Sequence, residues 1–353
     1  MSGDFWRGRR VLVTGHTGFK GAWLCLWLEA LGAEVEAFAL APHTRPSLWE
    51  LIEADVRGTF CDIRDARRVR ELVARCRPQV VFHLAAQALV RESYRDPQGT
   101  LETNVIGTAN LLEACRGIDE LRAVLVVTSD KVYANDGAGR AFEETDPLGG
   151  HDPYSASKAC TELVAASYRD SFFRSGAAIA TARAGNVIGG GDWSADRLIP
   201  DCLRALDEGA PVSLRYPRAV RPWQHVLDPL AGYLRFAEAL ACATEQTPQV
   251  LNFGPDPGSF RTVAEVVDGF SACFGGKPGW LSDPRPQPPE AAALRLSSAL
   301  ARRTLGWCPR LDIEAALSWT AEWHRAMRAG EDVGRVTRWQ IRMYRHLAGE
   351  IAE

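Results

Sequence analysis

Short apolar segments alternate with longer amphipathic segments through the first half of the chain. The segments RRVLVTG, EVEAFAL, QVVFHLAA, RAVLVVTSD and AAIATARAGNV, together with residues 59–63, predict strands. Short and mostly β-branched runs of this kind are typical of strands that are buried on both faces. The longer segments between them, such as GFKGAWLCLWLEALG, DARRVRELVARC and TNVIGTANLLEAC, predict helices. Strands that alternate with helices predict an α/β fold with a doubly wound parallel sheet.

This alternation ends after Val187, where the loop GGGDW follows the last of these strands. Beyond it, DRLIPDCLRALDEG and SFRTVAEVVDGFSACFG predict helices, PVSLRY and VLNFG predict short strands, and the C-terminal tail is mostly helical. We therefore predict two parts. The first is a sheet domain of residues 1–186 and 226–254, and the second is a smaller, mostly helical lobe of residues 187–225 and 255–353.

Composition and charge restrict the possible classes of function. The chain has 353 residues, a net charge of −3 and a sequence pI near 6.2, so we expect no basic face for nucleic acid. The nine cysteines form no CxxC pair and are odd in number, which favours reduced thiols in a cytoplasmic protein. We also expect no signal peptide, no membrane span and no metal site.

The sequence VLVTGHTGFKGAWL places three glycines three residues apart, between a predicted strand and a predicted helix. In this setting Gly15 permits a tight turn, Gly18 lets backbone N–H groups approach a diphosphate, and Gly21 lets the helix pack close to the strand. The helix start adds partial positive charge and unpaired donors. The loop therefore predicts a dinucleotide-binding site.

The end of the second predicted strand lacks the acidic residue that would bind the ribose 2′-hydroxyl of NAD. The chain reads LAPHTRPS instead, with His43 and Arg45, and Lys20 adds a cation near the phosphates. Two interpretations are open: these cations bind the 2′-phosphate of NADP, or they contact only the diphosphate or solvent. Asp62, after the third predicted strand, is a candidate acceptor for the adenine amino group.

A tyrosine and a lysine lie four residues apart in the segment YSASKACTELV, so Tyr154 and Lys158 share one face of a predicted helix. A lysine beside a tyrosine favours the phenolate and lowers the pKa of the phenol. A phenolate at a nicotinamide can remove a hydroxyl proton while hydride leaves the same carbon. The pair therefore predicts an oxidation step at a bound nicotinamide, and the alternative is an exposed Tyr–Lys pair.

Together these motifs resemble the extended short-chain dehydrogenase/reductase family, over nearly the whole chain. The family's fourth strand is similar to HLAAQ, the helix after it to TNVIGTANLLEA, and its crossover into the substrate lobe to RAGNVIGGGDW. The family's nucleotide-sugar contacts are similar to RPWQHVLD and LNFGP. The resemblance implies a Rossmann domain, bound NAD and a nucleotide-sugar substrate in the smaller lobe. It implies cofactor contacts at Gly15, His16, Thr17, Gly18, Phe19, Lys20, Gly21, Asp62, Ile63, Leu84, Ala85, Ala86, Gln87, Asn104, Tyr154 and Lys158.

The residues that discriminate between members of that family are Ser129, Asp130 and Lys131, at the end of the fifth predicted strand. Sugar-nucleotide epimerases tend to carry a Ser-Ser pair there, whereas hexose dehydratases place an acid and a base. The Ser-Asp-Lys variant is similar to that of the dehydratases that act on CDP-glucose. The resemblance thus implies CDP-glucose as the substrate, a 4-keto-6-deoxy sugar as the product, and a place in deoxysugar biosynthesis for lipopolysaccharide O-antigen.

The resemblance implies catalytic roles for Ser129, Asp130, Lys131, Tyr154 and Lys158. We expect Asp130 to protonate the departing 6-hydroxyl of the sugar. Two roles are open for Lys131. It is either the base that removes the hydrogen from carbon 5, which requires a neutral amine, or a cation that stabilises the enolate.

Arginines are expected among the substrate contacts, because a planar guanidinium binds two diphosphate oxygens at once. The resemblance implies substrate contacts at Gln87, Ser129, Asn186, Arg197, Leu198, Arg215, Arg221 and Asn252. Arg183 and Arg218 are further candidates nearby. We expect Trp193 and Trp223 to serve packing and His225 to lie in the core.

Two rival functions are open. A sugar-nucleotide 4-epimerase would use Tyr154 and Lys158 and would need neither Asp130 nor Lys131. A regulatory module that only binds a dinucleotide would need neither the Tyr154–Lys158 pair nor the Asp130–Lys131 pair. Either rival therefore leaves the acid and the lysine at the end of the fifth predicted strand unexplained.

A homodimer is also expected, since members of the family that this chain resembles pair two of their helices into a four-helix bundle. These helices begin near Leu101 and near Tyr154 in this chain. Their apolar residues beyond one core-facing stripe are Val105, Leu111, Leu112, Leu163, Val164 and Tyr168.

Overall fold

The computed structural model describes residues 3–242, 247–275, 279–286 and 290–351. The strands are β1 (Arg10–Thr14), β2 (Glu34–Ala39), β3 (Arg57–Phe60), β4 (Val80–His83), β5 (Ala123–Val127), β6 (Ala141–Phe142), β7 (Ala178–Ala184), β8 (Val187–Ile188), β9 (Val212–Leu214), β10 (Val220–Pro222), β11 (Gln224–His225), β12 (Val250–Phe253), β13 (Phe260–Thr262), β14 (Trp280–Ser282) and β15 (Arg295–Leu296). The helices are α1 (Gly3–Trp6), α2 (Phe19–Ala30), α3 (Leu48–Leu51), α4 (Ala66–Cys76), α5 (Val90–Arg95), α6 (Pro97–Leu101), α7 (Gly107–Cys115), α8 (Pro153–Phe172), α9 (Leu198–Glu208), α10 (Leu227–Ala241), α11 (Val263–Cys273), α12 (Ala299–Leu305), α13 (Ile313–Arg328) and α14 (Val333–Leu347). A π-helical turn spans Glu102–Ile106, and 3₁₀ turns span Asp130–Val132 and Pro257–Ser259.

Seven parallel strands form the central sheet of the described residues, in the order β3-β2-β1-β4-β5-β7-β12. The direction of strand addition reverses between β1 and β4. The register places Thr14 of β1 opposite Phe38 of β2 and His83 of β4. Ligands of open parallel sheets bind beyond the carboxyl ends of the strands at such a reversal. The predicted α/β fold with a doubly wound parallel sheet is confirmed.

Helices cover both faces of the sheet, and each face has its own apolar core. On one face α2 buries every residue from Gly21 to Leu28. Its outer side is in turn covered by α14, where the ring centroids of Trp27 and Tyr344 lie 5.5 Å apart. On the other face α4, α7 and α8 contribute to a second core cluster. Because the sheet is covered on both sides, β5 is buried along its whole length, as the apolar run AVLVV predicts.

The chain beyond β7 adds short strands rather than a second large sheet. β8 pairs with β11 and β9 with β14 in parallel, whereas β10 and β13 are antiparallel. β12 then returns to the edge of the central sheet beside β7. The division into residues 1–186 with 226–254 and residues 187–225 with 255–353 stays a prediction.

The segment before α7 and the helix α8 carry apolar side chains on the outside of the molecule. Leu101, Ile106 and Leu163 have exposed fractions of 42%, 54% and 59%. The prediction of an outward position for Leu111 and Leu112 is wrong, because both are fully buried in the second core cluster. The predicted helix TNVIGTANLLEAC is also interrupted, since a π-helical turn precedes α7.

Among the helices that the structure describes, none combines the length and the apolar character needed to span a membrane. Within the same residues, no group of three or more His, Cys, Asp or Glu side chains could hold a metal ion.

Candidate active site

The glycine loop between β1 and α2 is held tightly by its own backbone. Gly15 has φ +84°, a conformation that favours glycine, and a Cβ there would lie 2.7 Å from the amide nitrogen of Ala85. A Cβ on Gly21 would clash with the carbonyl oxygen of Gly15. A Cβ on Gly18 would lie an ordinary 3.4 Å from that oxygen. The loop thus needs Gly15 and Gly21 for its own packing, whereas Gly18 leaves space for a ligand.

Helix α2 begins at Phe19 with Gly18 as its N-cap, and no side chain caps it. The first N–H groups of a helix have no partner within the helix, and the helix dipole adds partial positive charge there. Gly18 and Phe19 line a cleft beyond the carboxyl ends of the strands. This arrangement fits a diphosphate, as the glycine spacing predicts.

The cleft has a volume of about 470 Å³. It brings together most of the predicted site residues, namely Gly15, Thr17, Gly18, Phe19, Lys20, Gly21, Asp62, Ile63, Leu84, Ala85, Ala86, Gln87, Ser129, Asp130, Lys131, Tyr154, Lys158, Asn186 and Arg197. A second cavity of about 160 Å³ adjoins the cleft, with Lys131, Asn186 and Arg197 in both linings. Residues predicted for the cofactor and for the substrate therefore share one continuous depression.

His16 is an exception among the predicted cofactor residues, because its imidazole does not line the cleft. The side chain is fully buried, and its ring lies edge-on to Trp49 with 4.4 Å between the ring centroids. Burial lowers the pKa of His16 to about 4, so the imidazole is neutral at pH 7. The imidazole therefore packs in the core, and the contact of His16 with the cofactor stays a prediction.

Asn104 is also buried and does not line the cleft. Its Oδ1 accepts a hydrogen bond from the amide of Gln87 at 2.8 Å. Its Nδ2 donates to the carbonyl oxygen of Gln87 at 3.0 Å and to Ser157 Oγ at 2.8 Å. Asn104 therefore fixes the loop after β4 against α8. The direct contact of Asn104 with the cofactor stays a prediction, and the π-helical turn that carries Asn104 positions Gln87.

Asn252 and Arg183 belong to a buried polar network rather than to either cavity. Asn252 has no exposed surface, and its Oδ1 accepts a hydrogen bond from Tyr133 Oη at 2.7 Å. The same Tyr133 oxygen accepts one from Arg183 at 2.8 Å. Arg183 also forms a buried ion pair with Glu162 at 2.9 Å. Neither side chain lines either of these two cavities, and their contacts with the substrate stay predictions.

The end of β2 presents no carboxylate to the cleft. The next residue is Leu40, whose carbonyl oxygen accepts a hydrogen bond from Thr17 Oγ1 at 2.9 Å. His43 and Asp62 line this end of the cleft. The Arg64 guanidinium, 2.6 Å from the Asp62 carboxylate, lowers the pKa of Asp62. Asp62 is thus an anionic hydrogen-bond acceptor at the end of the cleft where an adenosine would lie.

Helix α8 places Tyr154 and Lys158 in the cleft with its first turns. Asp152 caps the helix by accepting a hydrogen bond from the amide of Ser155 at 2.9 Å. Lys158 Nζ donates to the carbonyl oxygen of Val127 at the end of β5, at 3.3 Å. Burial lowers the pKa of Lys158 to about 8. The lysine is therefore anchored to the sheet by its ammonium group.

Burial raises the pKa of the Tyr154 phenol in this cleft. The positive charge of Arg197 and a hydrogen bond with Ser129 oppose that effect. Arg197 thus favours the phenolate, and the assistance that the sequence spacing predicts from Lys158 stays a prediction.

Asp130 and Lys131 lie at the end of β5, next to Ser129. Ser129 Oγ donates to Asp130 Oδ1 at 3.0 Å and accepts a hydrogen bond from the amide of Lys131 at 3.2 Å. Asp130 is only 3% exposed, and burial raises its pKa, although the Lys131 charge and the Ser129 hydrogen bond partly oppose this. A carboxyl group with a raised pKa keeps its proton more readily, which suits a general acid near neutral pH.

The second cavity is rich in arginine. Arg215 and Arg221 both contact the carboxylate of Glu290, at 3.3 and 3.1 Å. Arg197 donates to the carbonyl oxygen of Ala88 at 2.9 Å. Guanidinium groups that converge on one cavity suit a diphosphate. Leu198 also lines this cavity, whereas Arg218 is exposed and lines neither.

No sequence motif predicts that Glu290 and Arg91 line this cavity. Glu290 lies in no recognisable motif and reaches Arg221 only through the fold. Arg91 lines the same cavity and pairs with Asp196 at 2.9 Å, across more than a hundred residues of chain. Only the tertiary structure brings such pairs together.

The sequence and the fold both resemble those of known proteins. Residues 11–254 match the NAD dependent epimerase/dehydratase family. The chain is 45% identical over 338 residues to the CDP-glucose 4,6-dehydratase of Salmonella typhimurium, with 94% of each chain covered.

Two solved structures have the same fold. A double mutant of the dTDP-glucose 4,6-dehydratase of Streptomyces venezuelae, with NAD bound, has a TM-score of 0.78 and 25% identity, covering 92% of this chain and 99% of that one. The UDP-glucose 4-epimerase of Thermus thermophilus in complex with NAD has a TM-score of 0.77 and 30% identity, covering 90% and 99%. The family match includes the glycine loop and the Tyr154–Lys158 pair, and this protein therefore belongs to the NAD dependent epimerase/dehydratase family.

Proposed function

We propose that this protein is a CDP-glucose 4,6-dehydratase that works with bound NAD. The observation that carries the proposal is the position of Asp130 and Lys131 at the end of β5, in the same cleft as Tyr154 and Lys158. An oxidation at carbon 4 alone needs only Tyr154 and Lys158. The 45% identity to the Salmonella typhimurium enzyme supports the dehydratase and the cytidine nucleotide.

The residues of the cleft fit NAD. The uncapped start of α2 and the close-packed Gly15 and Gly21 offer a cradle for its diphosphate. Asp62 offers an anionic acceptor for the adenine, and of the two basic residues after β2, His43 lines the cleft whereas Arg45 does not. When bound, NAD would take a hydride from carbon 4 of the sugar and return it to carbon 6.

Tyr154 is the residue proposed to remove the proton of the 4-hydroxyl. Its phenol must be deprotonated for this step, and Arg197 and Ser129 both favour the phenolate against the effect of burial. The Lys158 ammonium, anchored on the carbonyl oxygen of Val127, holds positive charge on the same face of α8.

Asp130 is the residue proposed to protonate the departing 6-hydroxyl. Its proton passes to the oxygen on carbon 6 as that C–O bond breaks, and its raised pKa keeps the proton available. Lys131 lines both cavities and is assigned to carbon 5, either as the base or as the cation beside the enolate.

The arginine-rich cavity is proposed to bind the diphosphate and cytidine of the substrate. Arg197, Arg215 and Arg221 supply the positive charge, and Asn186 and Leu198 complete the lining toward the sugar. Burial inside the cavity strengthens these charged contacts relative to contacts in water.

The chain is also proposed to form a homodimer through the exposed apolar side chains Leu101, Ile106 and Leu163. Sedimentation velocity should give a dimer for the wild type and a monomer for Ile106→Glu with Leu163→Glu. Leu281→Glu is a matched control, since Leu281 is 61% exposed elsewhere on the surface. A wild-type monomer at micromolar protein would contradict this part of the proposal.

The function is tested by incubating the purified protein and NAD separately with the glucose esters of CDP, dTDP, GDP and UDP. Mass spectrometry of the products should show loss of water from CDP-glucose, at a higher rate than from the others. A product of unchanged mass with inverted carbon 4 would indicate a 4-epimerase instead. Loss of water from another ester at a higher rate would keep the dehydratase and reject the cytidine preference.

A further inference from the structure

The chain uses lysine very sparingly. Of its 41 Lys and Arg residues only four are lysines, and three of these, Lys20, Lys131 and Lys158, line the same cleft. The fourth, Lys277, lies outside the described residues. A buried lysine can lose its proton near neutral pH, whereas arginine stays charged. The proposed function gives a role to Lys131 and Lys158 only, so Lys20 is the cleft lysine that it leaves unexplained.

Lys20 extends from the start of α2 into the interior of the cleft. Its ammonium lies 5.9 Å from the ring centroid of Tyr233 on α10, and it makes no hydrogen bond to any residue of the described ranges. Burial, Arg197 and Lys158 lower the pKa of Lys20 to about 7, and Asp130 acts in the opposite direction. The amine is thus within electrostatic range of two cations and one carboxyl group.

Two further polar atoms of this region, Tyr233 Oη and Asp130 Oδ2, have no hydrogen-bond partner among the described residues. Tyr233 is fully buried, and its hydroxyl makes no hydrogen bond. Asp130 uses Oδ1 for Ser129 and leaves Oδ2 buried and unpaired. Gly185 makes room for that oxygen, because a Cβ there would lie 3.1 Å from it. Buried polar groups without partners are costly, so each of these two atoms needs an explanation.

These groups act on one another. The positive charge of Lys20 lowers the pKa of Asp130, whereas the charges of Asp130 and Tyr154 raise the pKa of Tyr233. The other charged groups that act on this cluster are Lys131, Lys158, Arg197 and Arg221.

We propose that Lys20 and Tyr233 are positioning residues for Asp130, and that Lys20 supports the Asp130 carboxylate at the moment when its proton leaves for the 6-oxygen. The proposal rests on the proposed dehydration. Without the cation, elimination would leave a buried negative charge with less compensation. The support requires a protonated amine, so it is present below about pH 7 and fades as the pH rises through that value.

The first test is single-turnover elimination at saturating NAD, followed by mass spectrometry from pH 6 to pH 8.5. Lys20→Met should slow the loss of water about tenfold at pH 6, with a smaller difference from the wild type at pH 8.5. Lys20→Arg keeps a permanent charge and should restore the rate, with a weaker decline at high pH. Appearance of reduced nicotinamide, followed in the same samples, should slow less than the loss of water in Lys20→Met. If Lys20→Met lowers only the affinity for NAD and eliminates water normally at saturation, the proposal is overturned.

Tyr233→Phe tests the hydroxyl alone, since the ring that faces the Lys20 ammonium is kept. It should slow elimination several-fold without changing the affinity for NAD. Tyr168→Phe on α8, outside the cleft, is the matched control and should behave as the wild type. An unchanged elimination rate in Tyr233→Phe would remove Tyr233 from the proposal.

A measurement without substrate separates this inference from the function itself. Infrared titration of the protonated carboxyl, referenced to Asp130→Asn, should place the Asp130 titration about one pH unit higher in Lys20→Met than in the wild type. An identical titration would overturn the proposal even if the wild type converts CDP-glucose. A shifted titration in a protein that releases no water would instead reject the proposed function and leave the Lys20–Asp130 interaction standing.

Discussion

The two sides of the cleft are built in different ways. The cofactor side is formed by loops that follow consecutive strands of one parallel sheet, and its shape is fixed by backbone contacts such as that of Gly15 with Ala85. The substrate side is formed by short strands and loops, and charged side chains hold it together, as in the contact of Arg221 with Glu290. The first side is therefore fixed by close backbone packing, and the second by ion pairs between side chains.

This difference indicates how each side responds to substitution. Changes around the strand ends should stop a chemical step while binding is preserved. Changes in the arginine-rich cavity should weaken binding while the chemistry of bound substrate is preserved.

The largest effect is expected for Tyr154→Phe. The ring keeps its packing on α8, but the proton acceptor for the 4-hydroxyl is lost, so the first oxidation should slow by about a hundredfold to ten-thousandfold. Stopped-flow absorbance of reduced nicotinamide measures this step, and fluorescence titration should show unchanged NAD affinity. Turnover at the wild-type rate would contradict the assignment.

Asp130→Asn should separate the two half-reactions. The amide keeps the shape of the strand end but cannot donate the acidic proton, so elimination should slow by about a hundredfold or more. Oxidation at carbon 4 should continue, and the variant should accumulate reduced nicotinamide with a keto sugar that retains its water. Quenched single-turnover samples analysed by mass spectrometry measure this outcome. Asp136→Asn, at an exposed position nearby, is the control, and normal water loss in Asp130→Asn would refute the role.

Arg221→Met should weaken binding of CDP by about tenfold to a hundredfold, because a hydrogen bond to a charged group is worth about 1.5–3 kcal/mol. The affinity for NAD and the rate of the saturated enzyme should change little. Arg218→Met is the matched control, since Arg218 is exposed and lines neither cavity. Isothermal titration calorimetry with CDP and with NAD measures both affinities. Equal losses for both ligands would argue against a separate substrate side.

The smallest expected effect concerns the attachment of the C-terminal segment. Asp228 on α10 is fully buried, and its Oδ1 accepts hydrogen bonds from the amide of Arg310 at 2.7 Å and from Tyr344 Oη at 2.8 Å. Burial raises the pKa of Asp228 to about 7 from 3.8. Because the folded state binds this proton more tightly than the unfolded state, the contribution to stability is complete below pH 3.8 and is lost as the pH rises through about 7.

Between pH 5 and pH 8 the wild type should therefore lose about 2–3 kcal/mol of unfolding free energy relative to Asp228→Asn. Urea denaturation of both proteins at the two pH values measures this difference. Asp136→Asn should follow the wild type. The same pH dependence in the wild type and in Asp228→Asn would show that Asp228 is not the responsible group.

Local patterns were enough to predict most of the cofactor side. Gly15, Gly18 and Gly21 lie within a few residues of the end of β1, and Tyr154 and Lys158 share the first turns of α8. The spacing within each motif therefore already indicates the geometry. Local patterns were not enough to predict the orientation of every side chain. His16, Asn104 and Asn252 stand in or beside the predicted motifs, but their side chains are buried, because a motif does not specify which way a side chain turns.

The sequence by itself determined the order of strands and helices, the doubly wound sheet, the glycine cradle and the acid–lysine pair at the end of β5. These features depend on periodicity and on residues close together in the chain. The tertiary structure alone decided which distant groups meet. It brought Glu290 to Arg221, Lys20 and Tyr233 to the neighbourhood of Asp130, and Arg197 to Tyr154. Such contacts depend on how separate elements pack, and burial at those contacts then shifts the pKa of the titratable groups.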